Sequence, residues 1–237
     1  MYTLIRRRGL STSIFHPHYR LFRAQQDWLR AAAKKHHVRI LDFGAGNSPC
    51  RELFHCEQYI KVDVEQNARG DIDFILSPDS PRTPYPDGHF DLVLCLDVLE
   101  HVYDDAAVIG ELFRLLRPGG AAFISTPFMY REHEYPHDRR RFTSTGIREA
   151  LLRAGFGEVR VEKFGNAWQV LSDTWFGSVY TNRQGPKLPL HARLSRKLYR
   201  VFLLPILNTT LFTRRNWDGD NSVYVELFVR AEKEGNI

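Results

Sequence analysis

The sequence lacks any apolar run long enough to cross a bilayer. A spanning helix needs about 20 mostly apolar residues, and the best candidate, residues 201–207, is short and interrupted by Pro205. Cysteine is also scarce, with three residues in a chain of 237. We interpret Cys50, Cys56 and Cys95 as reduced thiols of a cytoplasmic protein. A disulfide-stapled fold and an integral membrane protein are therefore both disfavoured.

Acidic residues are missing from one long stretch of the chain. Between Asp173 and Asp218 there is no Asp or Glu, yet this stretch holds eight Lys or Arg residues. Residues 1–40 hold nine Lys or Arg and only Asp27. The net charge of +5 is therefore carried by the two flanks. A basic N-terminal stretch is compatible with a cap helix or with an organelle transit peptide, and both interpretations stay open.

The known phosphate-binding glycine signatures are incomplete. Residues 38–47 form a short apolar run that contains Asp42 and ends in Gly44 and Gly46. Pro49 stands where a dinucleotide fingerprint has its third glycine. The Asp42 carboxylate would also repel the diphosphate of a dinucleotide bound at this turn. No Gly-Lys-Ser/Thr follows, which excludes a P-loop. This turn suits a ligand with a cationic amino group and no phosphate.

Hydrophobic periodicity predicts an α/β fold with a doubly wound parallel sheet, because strands alternate with helices. The predicted strands are residues 39–43, 59–64, 72–76, 90–96, 121–126, 159–164 and 223–231. The predicted helices are residues 19–36, 48–56, 99–116 and 144–154. We divide the chain into a basic segment with a cap helix (1–37), a core (38–164), an insertion (165–220) and a final strand with a tail (221–237).

Five segments in this order resemble the class I S-adenosylmethionine-dependent methyltransferases, in the type 11-like branch that methylates small molecules. These segments are residues 41–46, 62–64, 84–93, 98–102 and 115–120. The resemblance implies a Rossmann-like, seven-stranded, mostly parallel sheet with strand order 3-2-1-4-5-7-6 and an antiparallel last strand. It also implies a lid, formed by the N-terminal helix and the insertion, and S-adenosylmethionine as cofactor.

The resemblance assigns the methionine and ribose ends of the cofactor. The backbone from Gly44 to Gly46 would lie against the methionine, and Asp42 would serve its ammonium group. Asp63 ends the second strand, where an acidic side chain can accept both ribose hydroxyls. These four residues form the predicted cofactor site at the carboxyl edge of the sheet.

Three further residues complete the predicted cofactor site. Asp79, five residues before Pro84, has the spacing of the acid that meets the adenine in this family, and Asp71 is a weaker rival. Asp79 is equally suited to forming a turn. The backbone of Cys95 and Leu96, at the end of the fourth strand, would face the sulfonium.

Histidines follow the fourth and fifth strands and are candidates for catalysis. His101 suits a general base because imidazole titrates near neutral pH, although a packing role is the alternative. The loop after the fifth strand supplies His133, His137 and Arg141, for acid/base chemistry, for orienting the acceptor or as a solvated charge cluster. Pro136 lies between the two histidines, so no helical metal-binding face is expected. We predict no metal.

The acceptor is less defined than the cofactor. We expect methyl transfer to an oxygen, or a nitrogen, of a small, lipid-linked or glycan-type acceptor. RNA or protein methylation through the basic flanks and a non-catalytic partner protein with this fold are the alternatives; nucleic acid is disfavoured because no binding module is recognisable. Residues 194–212 combine an apolar helical face with cations, a pattern typical of peripheral membrane contact or of a packed lid helix. The sequence does not indicate the oligomeric state.

Overall fold

The computed structural model describes residues 13–16, 18–35, 37–77, 79–180, 194–195, 197–210 and 222–235. Seven strands form one sheet in the order β3-β2-β1-β4-β5-β7-β6. The first five strands pair in parallel, and β7 runs antiparallel to both of its neighbours. The predicted fold class, strand order and antiparallel last strand are confirmed.

The elements follow the predicted alternation of strands and helices. The strands are β1 (His37–Phe43), β2 (Cys56–Asp63), β3 (Phe74–Ile75), β4 (Phe90–Leu96), β5 (Leu116–Pro127), β6 (Glu158–Phe164) and β7 (Glu226–Glu232). The α-helices are α1 (Tyr19–Ala33), α2 (Asp105–Leu115), α3 (Ser144–Arg153), α4 (Ala167–Tyr180) and α5 (Leu204–Thr210), the last preceded by a π-helix, Tyr199–Leu203. In the part of the chain that the structure describes, no helix has the length and apolar content that a membrane span requires.

The sheet buries apolar side chains on both faces, as the apolar run of β4 predicts. Val93 and Cys95 point to one face, where they join the buried side chains of α2 and α3. Leu92 and Leu94 point to the other face, where they meet α1 and Phe54. This alternation follows from the two-residue period of a strand. The result is a three-layer core in which residues 92–95 of β4 are inaccessible to solvent.

Two predicted helices differ from the structure. The predicted helix 48–56 is wrong: only a 3₁₀ turn, Arg51–Leu53, forms there. β2 already begins at Cys56, which leaves too few residues for a helix, and burial of Phe54 in the core holds its backbone extended. The predicted helix 99–116 begins only at Asp105, where Asp104 accepts a hydrogen bond from the Ala107 amide as N-cap.

Part of the predicted segmentation lies outside the described residues. This applies to residues 1–12 of the basic segment, and to residues 181–193 and 211–221 in and next to the insertion. The proposed boundaries at 37, 164 and 220 therefore stay predictions. Within the insertion, the structure describes α4, the π-helix and α5.

A buried ion pair attaches the loop before β4 to α2. Glu111 accepts hydrogen bonds from the amide and hydroxyl of Thr83, at 2.8 and 2.9 Å, and from two guanidinium nitrogens of Arg114, at 2.8 and 2.6 Å. Arg114 also donates to the carbonyl of Tyr85 and to Asp87. Burial would raise the pKa of the Glu111 carboxyl, but the hydrogen bonds from Arg114 and Thr83 outweigh it and lower that pKa.

Replacing Glu111 should destabilise the fold far more than replacing an exposed glutamate. Glu111→Ala leaves Arg114 and the Thr83 amide without their shared acceptor, so we expect a loss of about 3 kcal/mol in the free energy of unfolding. The control is Glu149→Ala, because Glu149 pairs with Arg153 at 3.6 Å on the exposed surface. We expect the control to lose less than about 0.5 kcal/mol. Urea unfolding measures both, and equal losses would contradict the assigned role.

Candidate active site

The turn after β1 requires glycine. Gly44 has a φ of +72°, and a Cβ built on it would overlap Cγ2 of Val98. The amides of Gly44 and Ala45 both donate to the carbonyl of Val62 at the end of β2, at 2.8 and 3.1 Å. The turn is thus pressed between the ends of β2 and β4. Any side chain at position 44 would clash with Val98 and displace the turn.

Asp63 holds this turn in place by a hydrogen bond. Its buried carboxylate accepts a hydrogen bond from the Gly46 amide at 2.7 Å and another from the amide of Val64 at 2.7 Å. Asp63 therefore lies where the sequence predicts a ribose acceptor, and it also holds the glycine turn in place.

Asp42 is anchored by hydroxyl groups. One carboxylate oxygen accepts from the hydroxyl of Ser48 at 2.5 Å and from that of Tyr59 at 2.8 Å. Burial raises the pKa of the Tyr59 phenol well above its usual range, and the charge of Asp42 raises it further. A phenol in this state stays a donor. Asp42 thus supplies a fixed negative charge behind the turn, the arrangement expected for an ammonium ligand.

The two candidates for the adenine contact occupy different surroundings. Asp79 is exposed in the loop after β3, where its amide donates to the Ser77 hydroxyl at 3.4 Å. Asp71 accepts from the side-chain amide of Asn67 at 2.5 Å, and the same amide donates to the carbonyl of Gly46 at 2.7 Å. The structure therefore connects the weaker rival to the glycine turn, through an asparagine that sequence reasoning missed. The adenine assignment to Asp79 stays a prediction.

Cys95 and Leu96 end β4, and the role of their backbone beside the sulfonium stays a prediction. The Cys95 thiol is completely buried, and burial raises its pKa well above the usual range, so it is an inert core group. Leu96 packs against the core cluster on the opposite face. The next residue, Asp97, has a φ of +54° and turns the chain out of the sheet. Its carboxylate accepts from the hydroxyl of Ser125 at 2.7 Å.

Two buried glutamates join Asp97 at this edge. Glu226 begins β7, and Glu100 follows β4 by four residues. Burial raises the pKa of each carboxyl well above its usual range, and the neighbouring Asp97 carboxyl raises both further. Within the described residues, Oε1 of each glutamate has no hydrogen-bond partner. Sequence reasoning missed this cluster, although an acid inside the apolar run 223–229 was a visible signal.

His101 lies beside this cluster, in a turn before α2 rather than in the helix itself. Its Nε2 is 3.5 Å from Oε1 of Glu100, and its ring meets that of His133 edge-on at a centroid distance of 4.9 Å. Burial lowers the pKa of His101 to about 4, and the proximity of His133 contributes. The imidazole is therefore neutral at pH 7. Ligand atoms of Glu100, His101 and His133 all lie within 4.8 Å of one another, a spacing compatible with a metal ion, so the predicted absence of a metal stays a prediction.

The structure brings His137 to this site by its backbone and not by its imidazole. The carbonyl of His137 lies 3.4 Å from Nδ1 of His101, while the side chain of His137 is exposed. Since a carbonyl can only accept, Nδ1 carries the proton and Nε2 is the basic nitrogen of His101. The exposure of this ring argues against a catalytic role of the His137 imidazole, and that role stays a prediction.

Arg141 organises the loop that carries His133. Its guanidinium binds Asp138 through both terminal nitrogens, and Asp138 also accepts from the amide of His133 at 2.8 Å. Burial would raise the pKa of the Asp138 carboxyl, but the hydrogen bonds from Arg141 and His133 lower it to about 2. Arg141 thereby stabilises the conformation of this loop, and its positive charge lies near Glu100 and Glu226.

The N-terminal helix reaches this edge of the sheet. Gln25 of α1 donates to the Ser125 hydroxyl at 3.2 Å, and that hydroxyl in turn donates to Asp97. The buried Arg20 of α1 interacts with the charge of Asp173 on α4. The helix α1 of the predicted lid is thus connected to Asp97, after β4, through Gln25 and Ser125. The amphipathic pattern of α1 did not predict these contacts.

Solved structures share this fold at low sequence identity. The [4+2]-cyclase SpnF superimposes with a TM-score of 0.58 at 18% identity, over 92% of this chain and 83% of that chain. Phosphoethanolamine N-methyltransferase 2 of Haemonchus contortus, solved with S-adenosylmethionine, gives a TM-score of 0.54 at 15% identity, over 89% of this chain and 52% of that chain. At these identities the likeness shows the fold alone.

Curated relatives are more similar over shorter stretches. The ubiquinone biosynthesis O-methyltransferase of Pseudomonas paraeruginosa is 56% identical over 89 residues, which is 38% of this chain and 34% of that protein. The protein of the same name from Aromatoleum aromaticum is 29% identical over 129 residues, 49% of this chain and 55% of that protein. The chain thus matches about a third to a half of the length of these relatives.

A family match covers more than half of the chain. Residues 17–161 match the family described as "Methyltransferase domain". This range runs from the start of α1 into β6 and contains the glycine turn, Asp63 and the histidine cluster. Together with the sheet order, it confirms the resemblance drawn from the motifs: the chain belongs to the methyltransferase domain family, whose cofactor is S-adenosylmethionine.

Proposed function

We propose that this protein transfers a methyl group to a hydroxyl oxygen of a small or lipid-linked acceptor. The observation that carries the proposal is the neutral His101 beside Glu100 at the end of β4, because a hydroxyl acceptor must lose a proton as it is methylated. Curated relatives named as O-methyltransferases support the choice of oxygen. A nitrogen or glycan acceptor is a second outcome that the same assay detects.

The residues present fit S-adenosylmethionine. Asp63 would hold the ribose, because its carboxylate lies at the end of β2, next to the glycine turn at the carboxyl edge of the sheet. The Gly44–Gly46 turn would lie against the methionine, with the buried charge of Asp42 near its ammonium group. When bound, the cofactor supplies an activated methyl group. The protein's task is then to align the acceptor oxygen, which is worth several orders of magnitude in rate.

On the acceptor side, His101 is the residue able to accept the proton. Its Nδ1 is occupied by the His137 carbonyl, which directs the basic Nε2 toward Glu100. Glu100 and Glu226 provide buried carboxyl groups that can hydrogen-bond a hydroxylated acceptor. Arg141 keeps this loop in place through Asp138. We therefore expect a polar acceptor site formed by the residues that follow β4, by the start of β7 and by the loop after β5.

A transfer assay with isotope-labelled methyl groups tests this function. Extracts are separated into lipid, small-molecule, RNA and protein fractions, and each is incubated with the protein and labelled S-adenosylmethionine, with and without EDTA. We expect alkali-stable label in the lipid or small-molecule fraction. Label in RNA or protein alone would overturn the proposed acceptor class, and no transfer to any fraction would support a non-catalytic role. A loss of transfer in EDTA would contradict the predicted absence of a metal.

Replacing Asp63 should weaken cofactor binding. Asp63→Asn keeps the shape but removes the charge that accepts the ribose hydroxyls, so we expect S-adenosylmethionine affinity to fall about tenfold. Asp73→Asn is the matched control, since Asp73 accepts the Lys61 amide at 2.7 Å from an exposed position next to β3. Calorimetric titration measures both variants. The ribose assignment is wrong if Asp63→Asn binds as tightly as the control.

Replacing His101 should slow transfer without changing cofactor affinity. We expect His101→Ala to lower turnover about 100-fold, the usual contribution of a general base, and His137→Ala to lower it less than about twofold because its imidazole is exposed. Because the pKa of His101 is lowered to about 4, its basic form persists in mild acid, and the acid limb of the wild-type rate profile should lie near pH 4. Equal losses of turnover in both variants would reject His101 as the base. An acid limb of the rate profile near the ordinary pKa of histidine would reject it too.

A further inference from the structure

We propose that the insertion docks on an anionic lipid bilayer through a surface that we call the apolar patch. The patch consists of large apolar side chains that are 46–63% exposed on the helical segment around the π-helix. Its members are Leu194, Leu198, Val201, Phe202, Leu203 and Ile206. Side chains of this size are normally buried, and a cluster of them on one helical segment marks an interaction surface.

Four members of the patch form a row along the helical segment. Leu194, Leu198, Phe202 and Ile206 recur every four residues, which places them along one helix face. Leu204, by contrast, is only 1% exposed. The segment therefore packs on the protein through Leu204 and turns this row outward, a geometry suited to a helix that lies in a membrane interface.

A second helix adds apolar surface next to the patch. The hydroxyls of Ser172 on α4 and Tyr199 on the π-helix are 3.3 Å apart, so these helices are in contact. Beside Ser172, Leu171 is 59% exposed, and Trp168 one turn earlier is 49% exposed. Tryptophan is enriched where a protein meets the headgroup region of a bilayer. Two contacting helices thus present apolar side chains to solvent.

Charge decides among the possible occupants of the patch. The stretch between Asp173 and Asp218 contains eight Lys or Arg residues and no acid. A second copy of the chain would bring the same positive charges against each other, which costs free energy at close range. An anionic bilayer offers acyl chains for the patch and phosphates for the Lys and Arg residues in this stretch of the sequence. The combination fits a lipid surface and not a self-complementary dimer.

This surface is linked to the site at the end of β4. Asp173 of α4 is buried beside Arg20 of α1, and Gln25 of the same helix bonds to the Ser125 hydroxyl that holds Asp97. Binding at the patch would therefore place the lid helices, and the polar acceptor site beneath them, at the membrane surface. Membrane binding stands independently of methyl transfer and would bring the enzyme to acceptors that reside in lipid.

A vesicle flotation assay with the whole chain tests the proposal. One set of vesicles contains phosphatidylcholine alone, and the other contains phosphatidylglycerol and phosphatidylcholine in equal parts. We expect the wild-type protein to float with the anionic vesicles and to bind the neutral ones at least about tenfold more weakly. Phe202→Ser should weaken binding to anionic vesicles about tenfold, and Lys197→Glu about fivefold, with a stronger effect at low salt.

Controls separate this surface from misfolding and from the proposed chemistry. Leu152→Ser changes an exposed leucine of α3 that is 42% accessible and outside the patch, so its vesicle binding should equal that of the wild type. S-adenosylmethionine affinity should be unchanged in Phe202→Ser, which shows that the core is intact. Undiminished flotation of Phe202→Ser, or a wild-type dimer that this substitution converts to a monomer, would overturn lipid docking. Vesicle binding without methyl transfer would refute only the proposed function.

Discussion

The hydrogen bond from the Gly46 amide to the Asp63 carboxylate is the contact on which the cofactor half of this protein depends. It joins the end of β1 to the end of β2 at the carboxyl edge of the sheet. The positive φ of Gly44 and its close approach to Val98 require glycine at this position of the turn. Asp42, held by two hydroxyls, adds fixed negative charge behind the same turn. These contacts fix the shape of the turn that we assign to the cofactor.

Local pattern predicted the sheet well because each central strand carries its own signal. The apolar run of β4 matches the observed strand, Phe90–Leu96, residue for residue. The observed strand order was implied by the family resemblance and not by local pattern. The predicted helix 48–56 failed because tertiary packing decided it. The burial of Phe54 and the early start of β2 outweighed a helix-favouring Pro49. Such competition between neighbouring elements is not visible in a local window.

The acceptor half was less predictable because its parts come from distant segments. Asp97 and Glu100 follow β4, Glu226 begins β7, and Gln25 belongs to α1, and only the folded chain brings them together. The sequence named His101 and His133 as separate candidates, but it could not show that their rings meet or that the His137 carbonyl lies beside Nδ1 of His101. Conserving the cofactor edge while varying this cluster and the lid would allow one fold to accept different substrates.

The central claim is that the turn between Asp42 and Asp63 is the S-adenosylmethionine site. Hydrogen exchange of the whole protein with and without saturating S-adenosylmethionine tests it most directly, because the amides concerned are known. The account predicts slower exchange in residues 44–48, 64–67 and 95–98, and no change in residues 197–206. Unchanged exchange at the glycine turn, or protection confined to other segments, would contradict it.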